Sequence, residues 1–370
     1  MTTAREWRHR NTPYHVGAIH RACAFAYDLV MGFWGQQKLS DSQLRARDDL
    51  RLKITTGQYR TIANPCVVCE EGVEPADQID KVIAEVDRYG IPIRTVMCNK
   101  CGMLRTDPIF RDSDYSDFYK YHYRELHSGL VEASNDFFEE QIKRGKQLRK
   151  LISNHTDLIG KTIIEVGTGA GGLLQGVVGD DADGIGCDFG FSYLKFAQSK
   201  SLRVFQGSIS SVSDDSADVL IYSHVLEHIA NPKNEIREMF RVLKDNGLAV
   251  IVVPGVYSIH RHYGGRLSQY LQSAHLHHYT RQHLRKLMED GGFSECYGSQ
   301  GVTALFTKET QSPENHALGP KFSTGKTKRY LELMFFSRLS LSILLYLYKC
   351  LLASSKKVRS VYHSRGVKSN

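Results

Sequence analysis

Residues 162–172 read TIIEVGTGAGG, an apolar, β-branched run broken by one acid and followed at once by glycines at 167, 169, 171 and 172. No other stretch limits the fold so strongly. The β-branched residues suit a strand covered on both faces, and the glycines allow a tight turn with close backbone approach to a ligand. A strand that enters such a turn and continues as a helix puts unpaired helical N–H groups at the strand's carboxyl end. That arrangement belongs to an open, mostly parallel sheet with a ligand crevice along one edge.

The rest of the chain repeats the unit. GIGCD at 184–188, LRVFQG at 202–207, ADVLIYS at 217–223 and LAVIVVPG at 248–255 read as further strands. NEIREMFRVLKDNG at 234–247 reads as a helix with Gly247 just beyond it, and TRQHLRKLMEDGGF at 280–293 reads as another, which Thr280 caps and Gly291–Gly292 end. SNDFFEEQIKRGKQLRKLIS at 134–153 is amphipathic, with Phe138, Ile142, Leu148 and Ile152 near one face. Strands alternating with helices predict a parallel sheet covered on both sides.

The glycines fit two cofactors. Gly167, Gly169 and Gly172 satisfy a dinucleotide turn; Glu165, Gly167, Gly169 and Gly171 satisfy an S-adenosylmethionine (SAM) turn. Glu165 discriminates, because a carboxylate there repels a pyrophosphate and favours the ammonium group of a methionine moiety. Asp188 ends the second strand, where an acid accepts hydrogen bonds from ribose hydroxyls of either cofactor.

YSHVLEHIANPKNEIREMFRVLKDNGLAVIVVPG at 222–255 and AHLHHYTRQHLRKLMEDGGF at 274–293 resemble the class I SAM-dependent methyltransferases. Their V-L-E-H segment falls at Val225–His228, their R-V-L-K-x-x-G at Arg241–Gly247, and the fifth strand ends at Val253-Pro254. The resemblance covers roughly 134–306. It implies SAM as cofactor, held by Glu165, Gly167, Thr168, Gly169, Gly171, Asp188, Phe189, Ser208, Ile209 and Ser223. The turn Gly207-Ser208-Ile209 lacks the acid that many relatives turn toward adenine, so Ser208 or the nearby Asp214 and Asp215 are the substitutes to consider.

Two C-x-x-C pairs, Cys66/Cys69 and Cys98/Cys101, predict a four-thiolate zinc site, with buried or redox-active thiols as the alternative. The insert EEGVEPADQIDKVIAEVDRYG between them is expected to form a short helix. A cysteine module ahead of this core resembles the N-terminal zinc-binding domain of bacterial sugar C-methyltransferases, and FRDSDYSDFYKYHY at 110–123 resembles their aromatic, acidic linker. Their C-terminal nucleotide-sugar domain has no counterpart in 307–370, which is short and basic.

Methyl transfer needs donor and acceptor in line, and a base where the acceptor must lose a proton. His228 is the first candidate base, with Glu227, His224 and His275 beside it as candidate catalytic residues; the bracing of a loop is the rival role for His228. Residues 257–279 carry five of the 16 His and are expected to form a lid or acceptor pocket.

The net charge of +8 lies in the tail, since 321–370 holds seven Lys, four Arg and one Glu. A nucleic-acid partner is therefore not expected. The polar start, MTTAREWRHRNTPYH, points to the cytoplasm. The apolar stretch at 330–353 has an uncharged run of only 339–348, too short to span a bilayer, and contact through 330–359 with the inner membrane face is the alternative to packing on protein.

The expected fold is α/β: a Rossmann-like, seven-stranded class I methyltransferase sheet, a small N-terminal zinc-ribbon-like module and a C-terminal amphipathic helix. The expected divisions are 1–60 (helical extension), 61–125 (zinc module and linker), 126–310 (methyltransferase domain) and 311–370 (apolar helix and basic tail). The expected function is transfer of a methyl group from SAM to a sugar, nucleotide-sugar or glycan-pathway small molecule, at carbon or oxygen. The rivals are an O-methyltransferase of a lipid-linked or quinone-like acceptor and a zinc-ribbon binding protein with SAM as a structural or sensory ligand.

Overall fold

The computed structural model describes residues 39–69, 80–129, 132–309 and 324–334. The expected helix around Ala22–Trp34 and the tail beyond residue 334 lie outside these residues.

The N-terminal part opens with helix α1 (Asp41–Thr55), started by a capping box in which Ser40 and Gln43 satisfy each other's backbone N–H. Strand β1 (Thr61–Ile62) pairs antiparallel with β5 (Ile109–Phe110). Between them β2 (Lys81–Ala84), β3 (Thr95–Met97) and β4 (Leu104–Thr106) form an antiparallel sheet. The short helix expected in the insert is not found in its described part. Residues 81–84 are strand instead, because Val82 and Ile83 are β-branched and the segment has an open edge, β3, to pair with. Helices α2 (Asp112–Tyr121) and α3 (Tyr123–Ser128) follow.

Helix α4 (Asn135–Ile152), capped by Ser134, buries Phe138, Leu148 and Ile152 as its periodicity predicts. The core then runs β6 (Thr162–Val166), α5 (Gly172–Val178), β7 (Asp183–Asp188), α6 (Phe191–Ser199), β8 (Val204–Gln206), β9 (Ala217–Ser223), α7 (Pro232–Val242) and β10 (Leu243–Val252). After the two-residue strand β11 (His277–His278) come α8 (Arg281–Asp290), β12 (Phe293–Gly298) and β13 (Thr303–Lys308). The main sheet has seven strands in the order β12-β13-β10-β9-β6-β7-β8. Strands β6 to β10 are parallel, and β13 is inserted antiparallel between β10 and β12. This is the expected class I methyltransferase sheet.

Helix α7 stops at Val242, four residues short of the expected end, because Leu243 already pairs with Ala217 and Asn246 adopts a left-handed conformation (φ 60°) that turns the chain into the strand.

The cysteine module is not a free-standing appendage. Strand β11, from the segment after β10, pairs antiparallel with β4, so the module's sheet has the order β11-β4-β3-β2. Cys66, Cys98, Cys101 and Met103 share one buried core with Ile164, Tyr222, Leu284 and Phe293 of the larger domain. A helix over 324–334 lies on this junction, where Thr324 Oγ1 donates to the carbonyls of Asn99 and Lys100 at 2.9 and 2.8 Å.

Candidate active site

The carboxyl ends of β6, β7 and β9 meet at the glycine turn. Gly167 (φ 72°) and Gly169 (φ 56°) both take left-handed conformations that side chains resist. Their faces differ. A Cβ on Gly167 would collide with Val225 Cγ2, whereas at Gly169 the nearest side-chain atom would be 3.8 Å away, so the turn is open to a ligand at Gly169. Gly171 makes room for Leu202 and starts α5.

Asp188 closes the turn from the neighbouring strand. Its carboxylate accepts from Gly169 N–H at 2.8 Å and from Gly190 N–H at 2.6 Å, which fixes it at the strand end with lone pairs to spare. Phe189 follows with 71% of its surface exposed, a bare apolar face beside the turn. Ser223 ends β9 opposite Val252. Ser208 is bonded to Ser210 (2.8 Å between hydroxyls), and Ile209 is buried beside it. Asp214 and Asp215, considered as substitutes near adenine, are committed elsewhere. Asp214 pairs with Arg241 and Asp215 with Lys308, ahead of β9 rather than at its carboxyl end.

Glu165 is 2% exposed. Thr168 Oγ1 donates to its Oε2 at 2.8 Å, so Thr168 serves the acid and not the open face of the turn. Burial pushes the Glu165 carboxyl up to about 8, against the pull of the Thr168 and Leu174 hydrogen bonds. A cation brought beside it would draw it back toward the carboxylate.

A second cluster forms after β9. His224 takes a left-handed conformation (φ 58°), and a 3₁₀ turn, Leu226–His228, aims Glu227 inward. Glu227 is 1% exposed, and neither carboxylate oxygen has a hydrogen bond among the described residues. Three imidazole nitrogens surround its Oε1: His224 Nδ1 at 3.5 Å, His275 Nε2 at 3.8 Å and His228 Nε2 at 4.0 Å. The four expected catalytic residues are thus brought together. The His228 and His275 rings meet edge to face at 4.8 Å. Burial lowers both imidazoles; Glu227 opposes this at His228, and at His275 the neighbouring His228 adds to it. Neutral imidazoles beside a buried carboxylate are ready to take up a proton, and the carboxylate would stabilise the imidazolium formed. Glu227, His228 and His275 offer ligand atoms within 4.8 Å of one another, close enough to share a proton or a cation.

Three neighbours carry no sequence mark of their role. Tyr119 OH is 3.1 Å from His228 Nδ1, and Gln272 Nε2 is bonded to His275 Nε2. The Arg124 guanidinium lies 4.0 Å over the Tyr193 ring, and its Nη2 would be 3.9 Å from a Cβ at Gly169, so it stands over the open part of the turn. Only the aromatic density of 110–123 hinted at this wall.

The cysteine cluster has the dimensions of a zinc site. Cys66 and Cys101 Sγ are 3.5 Å apart and Cys69 and Cys98 Sγ 3.8 Å, with all four within 4.8 Å. A tetrahedron of ~2.3 Å zinc–sulfur bonds puts its sulfurs about 3.8 Å apart. Their mutual hydrogen bonds split the four thiols, holding Cys66 and Cys98 below the usual range and Cys69 and Cys101 above it. Strand β4 of the same module reaches the histidine cluster, where Thr106 Oγ1 donates to the His275 carbonyl at 2.7 Å, and the next residue, Leu276, donates its N–H to the Glu227 carbonyl at 2.8 Å.

Residues 135–295 match the family model described as a methyltransferase domain. Over 105 residues the chain is 28% identical to the ubiquinone biosynthesis O-methyltransferase of Pseudomonas fluorescens (strain SBW25), covering 26% of this chain and 45% of that protein. The chain therefore spans less than half the length of that curated relative. Similar solved structures include a SAM-dependent methyltransferase of Methanosarcina mazei (17% identity, 44% of this chain and 98% of that one, TM-score 0.37). Another is an S-adenosylmethionine-dependent methyltransferase of Mesorhizobium loti (14% identity, 45% and 98%, TM-score 0.37). Among the described residues no helix is long and apolar enough to cross a membrane.

Proposed function

We propose that this chain, whose residues 135–295 match a methyltransferase-domain model, is a SAM-dependent methyltransferase that modifies a sugar or another hydroxyl-rich small molecule of glycan metabolism. The observation that carries methyl transfer is the open glycine turn at Gly169, closed by Asp188 and capped by Arg124, with a proton-accepting cluster at the next strand end.

SAM supplies an electrophilic methyl group on a sulfonium. Asp188 would hold the ribose hydroxyls, Arg124 the carboxylate, and the buried Glu165 the side of the turn nearest the ammonium. Phe189 offers a face for adenine, with Ser208, Ile209 and Ser223 along the same edge. His228 takes the acceptor's proton. Its Nδ1 meets Tyr119, so the nitrogen turned toward Glu227 is the one whose charge the carboxylate stabilises. His275, His224 and Gln272 orient this pair. The four cysteines would hold Zn²⁺ as a closed structural site that fixes the His275 segment.

A sugar acceptor is favoured by the combination of cysteine module, aromatic linker and Leu226-Glu227-His228 in one chain. A second reading, an O-methyltransferase of a lipid-linked or quinone-like acceptor at a membrane surface, is supported by the stretch similar to the ubiquinone enzyme. Contact of 330–359 with the membrane belongs to that reading. Incubation with methyl-labelled SAM and fractionated cell metabolites separates them: label in a water-soluble glycan precursor supports the first and label in a lipid extract the second. A protein that binds SAM and labels nothing is a binding protein.

A further inference from the structure

A cavity of about 670 Å³ lies apart from the glycine turn, between the residues that follow β10 and the helix over 324–334. Its lining follows the carboxyl end of β10, the same edge of the sheet from which the histidine cluster leaves β9. Tyr257 follows β10, Gly301 precedes β13, and Val252, between them in the sheet, pairs with Ser223 of β9. Its lining has one sign of charge. Arg261, Lys326 and Arg329 contribute cations, and the lining contains no Asp or Glu. None of the three has a salt-bridge partner among the described residues. Lys326 Nζ instead lies 5.1 Å over the Tyr257 ring.

The walls are fixed. Tyr330 OH is 2.9 Å from His260 Nδ1, and Tyr257 OH is 3.3 Å from Thr327 Oγ1. Thr324 ties the helix to the second cysteine knuckle through the Asn99 and Lys100 carbonyls. Arg261, Lys326 and Arg329 are exposed cations on one lining that contains no acid, so a compact polyanion seated there meets like positive charge from several sides; guanidinium groups match phosphate oxygens in pairs. The volume exceeds what one phosphate fills and falls within the range of small-molecule sites. The Tyr257 and Tyr330 rings, 5.1 Å apart and edge to face, offer a surface for a flat or sugar-like group next to the charge.

We propose that this cavity binds the phosphate or pyrophosphate group of a phosphorylated acceptor, with Arg261, Lys326 and Arg329 as its anion-binding residues. Calling the ligand an acceptor rests on the methyl-transfer reading; the anion site itself does not. The phosphoryl group could belong to a nucleoside diphosphate or to a lipid headgroup, so the test has two arms.

Calorimetry of the full chain with inorganic pyrophosphate and with uridine diphosphate forms the first arm. Co-sedimentation with phosphatidylcholine vesicles containing one-fifth phosphatidic acid forms the second. The wild type should bind in at least one arm. The double variant Arg261→Gln/Arg329→Gln should weaken that binding tenfold or more, Arg329→Lys should recover part of it, and SAM affinity should not move in either. Binding confined to the first arm identifies a soluble phosphorylated ligand, and binding confined to the second a lipid-borne phosphate. Wild-type protein that binds in neither arm, or a double variant that binds as the wild type does, overturns the proposal. Failure to bind SAM would overturn the methyl-transfer reading alone.

Discussion

His283 Nε2 donates to the Cys101 carbonyl at 3.1 Å, so the helix that follows the histidine-rich segment is fastened to the cysteine cluster. Strand β4, which follows the second cysteine pair, holds the His275 carbonyl through Thr106. Metal content and acceptor chemistry should therefore be coupled. Purified protein should carry about one zinc per chain by metal analysis. Cys66→Ser should release it and lower Tm by about 10 °C, as expected for a loss of a few kcal/mol in a domain of this size. Turnover should fall further than SAM affinity. Metal-free protein with full stability would remove zinc from the fold.

Glu165 gives a pH dependence of definite sign. Its ordinary value is 4.5 and burial raises it to about 8 in the folded chain. The native state thus holds a proton that the unfolded chain has released. The stabilisation from this group is complete below about 4.5 and is lost as pH rises through about 8. Glu165→Gln imitates the protonated form and should flatten that decline. Melting curves of both proteins from pH 5 to 9, without cofactor, should diverge as pH rises, the wild type falling faster. The variant should also bind SAM about tenfold more weakly, the loss of one charge-assisted contact. Parallel pH curves would mean that Glu165 is ionised in the folded chain.

His228 and His275 should separate by kinetics. His228→Ala is expected to lower kcat by ~10²–10⁴ with SAM affinity kept, the range for a lost general base. Because burial lowers the imidazole, the wild-type rate should fall only below the ordinary histidine value of 6.5. His275→Ala should disturb acceptor KM more than kcat. If His228→Ala loses SAM binding and stability together while its pH profile persists, the imidazole only braces the loop.

Arg124 has no carboxylate partner among the described residues and stands over Gly169, the open glycine of the turn. Arg124→Gln should weaken SAM by roughly tenfold or more, and decarboxylated SAM should bind wild type and variant alike. Equal loss for both ligands would make Arg124 a structural residue.

Much of this was legible in the sequence because local pattern and fold agree. TIIEV, the glycines and ADVLIYS fall on β6, its turn and β9, and Thr280 caps the helix it was expected to cap. The spacing of the four cysteines likewise announced a cluster that the chain closes. What could not be read depends on distant partners. His277 and His278 are a strand only because Arg105 and Leu104 are there to pair with. Leu-Glu-His looks like the start of a helix, and nothing local says that Glu227 turns inward to meet His275. Tyr119 and Arg124 sit in helices whose periodicity reveals a buried face but not the site behind it.

Pairing between β4 and β11 also sets an order of events during synthesis. Thr106 and His275 are 169 residues apart. At ~5–20 residues per second the ribosome needs roughly 10–30 s to deliver the second after the first. Both knuckles have emerged by then, so a metal ion can be captured while β4 is still an open edge, a surface that invites pairing with other chains. The half-made protein is shielded only when β11 arrives, and the strand that completes the cysteine module thereby also ends the nascent chain's exposure to its neighbours.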